Sequence, residues 1–313
     1  MNIKYFHRKN KITRLLLLIL PAALLAGCGA KEGEVQVDTA ATTTRSNESV
    51  VLETVAGGTD VIGSEDFTVD LSNASEGYVM VDYEGINDEV RLQVVGGNGV
   101  TYTYVIKNGI AAYPLSAGSG TYKFTGYEAV MPEQYATAFQ DSESITIENE
   151  QGPFLYPNAY VSFNKNSECV SLAKSLAEGC TCDLEVIAAV YNYVTENITY
   201  DHDKAETVEK GYVPDPDSTL KSQKGICLDY ASLMVAMLRS QNIPSRMEVG
   251  YAGDAYHAWL SSYIEDVGWI SGVIKFDGTN WTLMDPTFAA NSSDKKLKDL
   301  IGDGSYYNTK YIY

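Results

Sequence analysis

The chain has 313 residues, of which 45% are hydrophobic and 20% charged, a globular composition with enough apolar residues for a sizeable core. Its formal charge is -18, and so acidic a surface argues against nucleic-acid binding, which needs basic patches to neutralise phosphates. The length allows two domains once a leader and a linker are set aside.

The first 27 residues hold Lys4, Arg8, Lys9, Lys11 and Arg14 and no acidic residue. The apolar run Leu15 to Leu25 follows, too short and too proline-interrupted for a stable spanning helix. Basic flank and apolar core together predict a signal peptide over residues 1–27. The run ends in "LAGC", Leu25 to Cys28, which resembles the lipobox of bacterial lipoproteins. That resemblance implies acylation of Cys28 and an extracytoplasmic protein held to the cell membrane, where several acyl chains anchor firmly. An ordinary secretory leader is the alternative.

Residues 28–62 are rich in Thr, Ser, Gly and acidic side chains without a sustained period, so a lipidated N-terminus and flexible linker is expected. Residues 63–151 change character. "FTVDL", "GYVMVDY", "VRLQVV", "TYTYVI", "IAAYPL", "TYKFTGY", "QYATAF" and "SITIE" are short, β-branched and aromatic, with turn signals between them. The pattern predicts an all-β sandwich. It contains no triad, metal set or phosphate loop; spacer, substrate-positioning and wall-binding roles stay open.

Residues 152–313 read as α+β, with helices first and an antiparallel sheet afterwards. "SECVSLAKSLAEG" is an amphipathic helix ended by Gly179, and a second helix starts at Thr181 or Asp183. Asp201 to Lys221 is expected as an acidic loop. A helix buried almost all round follows Gly225 and stops before Pro244. The strands "SRMEVGY", "HAWLSSYI", "GVIKF" and "WTLMD" come next, the last two joined at Asp277-Gly278. A polar helix over 293–301 and the strand "NTKYIY" follow.

Cys180 and Cys182 flank one residue, which is no zinc spacing. Cys169 shares a helical stripe with Leu172, Ala173 and Leu176, as core packing would; a disulfide to Cys180 or Cys182 is the other option. Asp201/Asp203 and Asp215/Asp217 lack the EF-hand pattern and read as solvated loop rather than as a calcium site. His202 reads as a solvated loop residue. No metal or cofactor is called for.

Three residues carry chemistry. Cys227 stands at the front of the buried helix, where the helix field favours a thiolate and free N–H groups face an oxyanion. His257 opens a strand, and Asp285 ends a later one before Pro286. A thiol nucleophile, an imidazole base and an orienting carboxylate form a workable Cys–His–Asp set. A buried cysteine, a packing histidine and a turn-capping aspartate fit the same residues.

"KGICLDYASLMVAMLRSQNIPSRMEVGY", "YHAWLSSYI" and "WTLMDPTFA", in that order, resemble the transglutaminase-like superfamily of papain-fold thiol enzymes over residues 152–313. The resemblance implies a papain-like catalytic domain with Cys227 as nucleophile, His257 as base and then acid, and Asp285 as the orienting group. It implies attack on a peptide bond or glutamine carboxamide through a thioester, with the Cys227 N–H and a side chain, Gln223 or Tyr200, binding the oxyanion. The substrate is then a protein or peptide, cell-wall peptides included. Hydrolysis is the first expectation, protein cross-linking the alternative, and a non-catalytic surface binding protein the reading of another class. The segment Glu265 to Gly278 departs from the family pattern and is expected to lengthen the hairpin between the His and Asp strands.

Overall fold

The computed structural model describes residues 45, 49–252, 254–265, 268–271, 274–276, 281–283 and 307–313. The first half of the fold is two antiparallel sheets. One has the order β1-β2-β3-β6, from β1 (Val61–Gly63), β2 (Phe67–Asp70), β3 (Tyr78–Tyr83) and β6 (Gly109–Pro114). The other has the order β5-β4-β7-β8, from β4 (Val90–Val95), β5 (Thr101–Ile106), β7 (Gly120–Met131) and β8 (Gln134–Ile145). Alternation decides which side chains turn inward: Val90, Leu92 and Val94 of β4 are buried while Arg91 is exposed. Phe67 and Val81 of the first sheet and Leu92, Tyr104 and Phe124 of the second share one apolar core. The two segments expected at 134–139 and 144–148 begin as one strand, β8, which pairs with β7 across register shifts at Gly126/Tyr127 and Ala129/Met131. The polar residues that read as a break, Gln140 to Glu143, pair in regular register with Thr125 to Tyr122.

The second half packs α1 (Glu168–Ala177), α2 (Asp183–Asn197), α4 (Pro216–Ser222) and α5 (Cys227–Arg239) together, with α5 laid on the sheet β13-β12-β11-β16. That sheet comprises β11 (Ser245–Ala252), β12 (Ala255–Ile264), β13 (Gly268–Ser271) and β16 (Tyr307–Ile312), all antiparallel. A hairpin pairs β14 (Ile274–Phe276) with β15 (Trp281–Leu283). The Asp277-Gly278 turn and the expected helix 293–301 lie outside the described residues. Every residue of α5 from Asp229 to Arg239 is buried, as a helix apolar on all faces requires. Its few polar side chains are satisfied: Ser232 donates to the Tyr160 carbonyl at 2.7 Å. Arg239 donates to the carbonyls of Ser245, Tyr156 and Tyr313 at 2.8, 2.7 and 2.9 Å. Among the described residues no helix is long and apolar enough to cross a membrane.

Three sequence expectations change. The acidic stretch Asp201 to Lys221 holds two helices, α3 (His202–Thr207) and α4. Asp201 caps the first by accepting from the Lys204 N–H, and Asp215 caps the second by accepting from Ser218 N–H, with Pro216 at the first helical position. Asp217 instead accepts the Glu168 and Cys169 N–H groups at the start of α1, at 3.1 and 2.9 Å. The described part of the expected linker is docked: Arg45 pairs with Asp183 at 3.2 Å and donates to the Gln241 carbonyl, and the Gly58 N–H reaches Asp70 at 2.7 Å. Part of the 265–278 segment joins the main sheet as β13, the neighbour of β12, because Ile270 is buried and Trp269 packs on Phe154, Tyr263 and Arg246. Cys169, Cys180 and Cys182 are free thiols.

The described residues fall within one compact unit. A seam of tyrosines joins the halves: Tyr102 of β5 meets Tyr311 and Tyr313 at ring-centroid distances of 5.6 and 5.9 Å, and Tyr160 stacks on Tyr313 at 4.4 Å. Ser116 donates to the Ile312 carbonyl at 2.7 Å across the same seam.

Candidate active site

Two short strands, β9 (Thr199–Tyr200) and β10 (Lys224–Gly225), pair in parallel and set Tyr200 opposite Gly225. This places the end of α2 beside the start of α5. Ile226 is extended, so the chain turns into helix at Cys227, whose side chain is half-buried at the first helical position. Ile226 has no oxygen with which to cap. Asp229, three residues on, reaches back to accept the Ile226 N–H at 2.8 Å, supplying half of a capping box. Gly225 makes room for it, since a Cβ there would lie 2.6 Å from the Asp229 Cβ.

Asp229 is fully buried and its charge is answered from α3 and the following loop. Lys204 Nζ lies 2.7 Å from Oδ2, and the Tyr212 hydroxyl donates to Oδ1 at 2.6 Å. Lys204 Nζ also reaches the Tyr212 hydroxyl at 2.7 Å. Burial works against the ammonium charge, yet the hydrogen bonds to Asp229 and Tyr212 lift the Lys204 pKa above its ordinary value. These three residues clamp the stretch before α4 to the helix that carries Cys227. The sequence held the signal: a carboxylate in a run otherwise fit for burial needs a cation.

Cys227, His257 and Tyr200 line one cleft of about 500 Å³. The Cys227 sulfur lies against the backbone of Ala258, the residue after His257 in β12. Burial pushes the thiol pKa up and Asp229 adds to this, while the Ala258 and Leu228 backbone groups partly offset it. His257 is half-buried, stacks on Trp259 at 6.4 Å, and has no hydrogen-bond partner at Nε2 among the described residues. Burial pushes its pKa down to about 4. The Tyr200 phenol, raised chiefly by burial, is in polar contact with the Cys227 backbone. Gln223 is exposed, adopts a left-handed conformation as the C-cap of α4, and is absent from the cleft wall. Asp285 and Cys28 lie outside the described residues. His202 is exposed at the start of α3, edge-on to Tyr200 at 5.0 Å.

Other walls come from across the fold. The loop Val208–Tyr212 forms one side, and Val249, Tyr256 and Tyr311 of the main sheet another. Thr103 of β5 closes the cleft from the two-sheet half. Gly211, at φ +83°, presses against that strand: a Cβ there would lie 2.8 Å from Val105 Cγ2.

Residues 170–272 match the transglutaminase-like superfamily model. UPF0252 protein MJ1282 of Methanocaldococcus jannaschii is 34% identical over 92 residues, which is 26% of this chain and 26% of that protein. The chain thus spans about a quarter of this curated relative. Among solved structures, a candidate cysteine protease from Cytophaga hutchinsonii has a TM-score of 0.35 at 16% identity, covering 67% of this chain and 66% of its own. Red sea bream transglutaminase has a TM-score of 0.29 at 13% identity, covering 62% and 47%. The matched stretch contains Cys227 and His257 and ends before Asp285: residues 170–272 are a transglutaminase-like domain.

Proposed function

We propose that the chain is a thiol enzyme acting on amide bonds, either a peptide bond or a glutamine carboxamide. The observation that carries this is the placement of Cys227 and His257 in the wall of a single cleft, with the Cys227 sulfur against the backbone of Ala258. The thiol passes its proton to the His257 imidazole as sulfur attacks the carbonyl carbon, and the carbonyl π electrons move to oxygen. The oxyanion is met by the Cys227 backbone N–H and the Tyr200 hydroxyl. The imidazolium then protonates the departing nitrogen, the C–N bond breaks, and a thioester remains. His257 next takes a proton from water as its oxygen attacks the thioester carbon, and the C–S bond breaks to release the acid, with the leaving sulfur taking that proton back from the imidazolium. Asp285 is the carboxylate expected to hold the imidazole. Hydrolysis is the favoured outcome, since water needs no second binding site. Acylation of Cys28 would hold this activity at the cell membrane outside the cytoplasm.

The test is incubation with a glutamine-containing peptide, with and without a primary amine. Ammonia and a glutamate product mean deamidation, backbone cleavage means peptidase action, and amine incorporation means cross-linking chemistry. No turnover of the peptide, with or without the amine, would make the chain a binding protein.

A further inference from the structure

The cleft is unusual in what surrounds the thiol. Its sheet wall carries Tyr256, Tyr311 and Tyr313, Tyr160 and Leu228 lie below, and Thr103 of β5 stands opposite. The Tyr160 and Tyr256 phenols are held above their ordinary pKa, chiefly by burial, so the wall is neutral. Glu209 and Lys210, the charged residues among the cleft's lining, sit on an exposed loop. A surface of this kind gains free energy by covering apolar groups and loses it by stripping water from charges. Aromatic rings add edge and face contacts worth about 0.5–1.5 kcal/mol per pair. The volume of about 500 Å³ is that of a small-ligand site rather than a slot for one carboxamide arm.

We propose that the two-sheet half supplies one wall of a specificity pocket, and that the preferred acyl donor is a peptide with an aromatic or large aliphatic side chain beside the reacting carbonyl. This rests on the thiol-enzyme reading above. Thr103 is the residue through which β5 meets that side chain. The Gly211–Val105 contact fixes the spacing between the opposing loop and the same strand. Small or charged peptide units, such as alanine or aspartate next to the carbonyl, leave the aromatic wall uncovered or bury a charge against it.

The experiment uses the full chain and peptidyl chloromethyl ketones that differ only in the residue beside the electrophile: Phe, Leu, Ala, Asp or Lys. Alkylation of Cys227 is followed by peptide mapping, and each rate is divided by the iodoacetamide rate at the same thiol. The Phe and Leu reagents should exceed the Ala and Asp reagents at least tenfold. Thr103→Trp, a substitution that an exposed strand position accommodates, should cut the normalised Phe rate at least tenfold. Tyr256→Ala, on the opposite wall, should lower the Phe-to-Ala ratio. Equal normalised rates for all reagents, with Cys227 alkylated readily by iodoacetamide, would overturn the pocket and leave the thiol enzyme standing. A Phe preference that Thr103→Trp leaves intact would overturn the role of β5. Failure of every peptidyl reagent to alkylate Cys227 in the folded chain would overturn both readings.

Discussion

Lys204 Nζ lies 2.7 Å from Asp229 Oδ2, and this pair links the wall of the cleft to the helix that begins at Cys227. Asp229 has no exposure, so its carboxylate depends on that ammonium, the Tyr212 hydroxyl and the Ile226 N–H. Removing one partner of a buried pair strands the other, at a typical cost of about 3–5 kcal/mol. Lys204 is partly exposed, which lowers the expectation. Lys204→Met should destabilise the fold by about 1–3 kcal/mol in urea denaturation. It should also move the pH midpoint of Cys227 alkylation upward, because Asp229 then acts on the thiol uncompensated. An unchanged midpoint would show the clamp to be structural alone.

Gly225→Ala tests the same region from the backbone side. The added Cβ must displace Asp229, 2.6 Å away from it. A loss of about 1–3 kcal/mol is expected from such overpacking, with slower Cys227 alkylation as the start of α5 shifts. Wild-type stability and reactivity together would count against the close approach.

Cys227→Ala should end iodoacetamide labelling at that position and cost on the order of 1 kcal/mol in stability. Cys169 should react slowly, since it is fully buried and burial foremost raises its thiol pKa. Peptide mapping after timed alkylation separates the sites.

The pH dependence of stability follows from His257. Its folded pKa of about 4 lies below the ordinary value of 6.5. Between those values the unfolded chain binds the proton and the folded chain does not. The stabilisation is therefore present above pH 6.5 and is lost progressively as pH falls towards 4. The expected loss is about 1–3 kcal/mol. His257→Gln should flatten that part of the profile, read by urea denaturation at several pH values; an identical slope would reject a neutral buried imidazole.

Cys28→Ser tests the anchor. The precursor should be released or stall, because the thiol is the acyl acceptor, and fractionation with lipid labelling measures it. Unchanged membrane retention, with no lipid on the natural chain, would reject acylation.

Much of the site is legible in the residues themselves. The apolar run from Tyr230 to Leu238 could only be a buried helix, and that fixes Cys227 at its start. His257 lies in β12, which pairs with β11 beside α5, so Cys227 and His257 line one cleft. What the chain order conceals is long-range compensation. Asp229 finds its cation 25 residues back, in a stretch that reads as loop because its helices are only six and seven residues long. Asp201 and the Asp215-Pro216 pair were the available cap signals there. Arg45, 138 residues from its partner Asp183, shows the same difficulty in the segment expected as a free linker. Thr103 carries no mark in the sequence at all, since an exposed threonine on a strand is ordinary.

Arg239 has a kinetic consequence. Its guanidinium is buried and held by carbonyls from three separate segments, two of them 74 and 83 residues away. Burial lowers its pKa to about 9, so it remains a cation at neutral pH. A charge cannot leave water cheaply until those acceptors are in place. The C-terminal end of α5 therefore seals only after Tyr156 and Tyr313 have arrived, and these partners are distant in sequence, the kind of contact that slows folding. A chain arrested before that step would leave the last turn of α5, with Met237 and Leu238, uncovered.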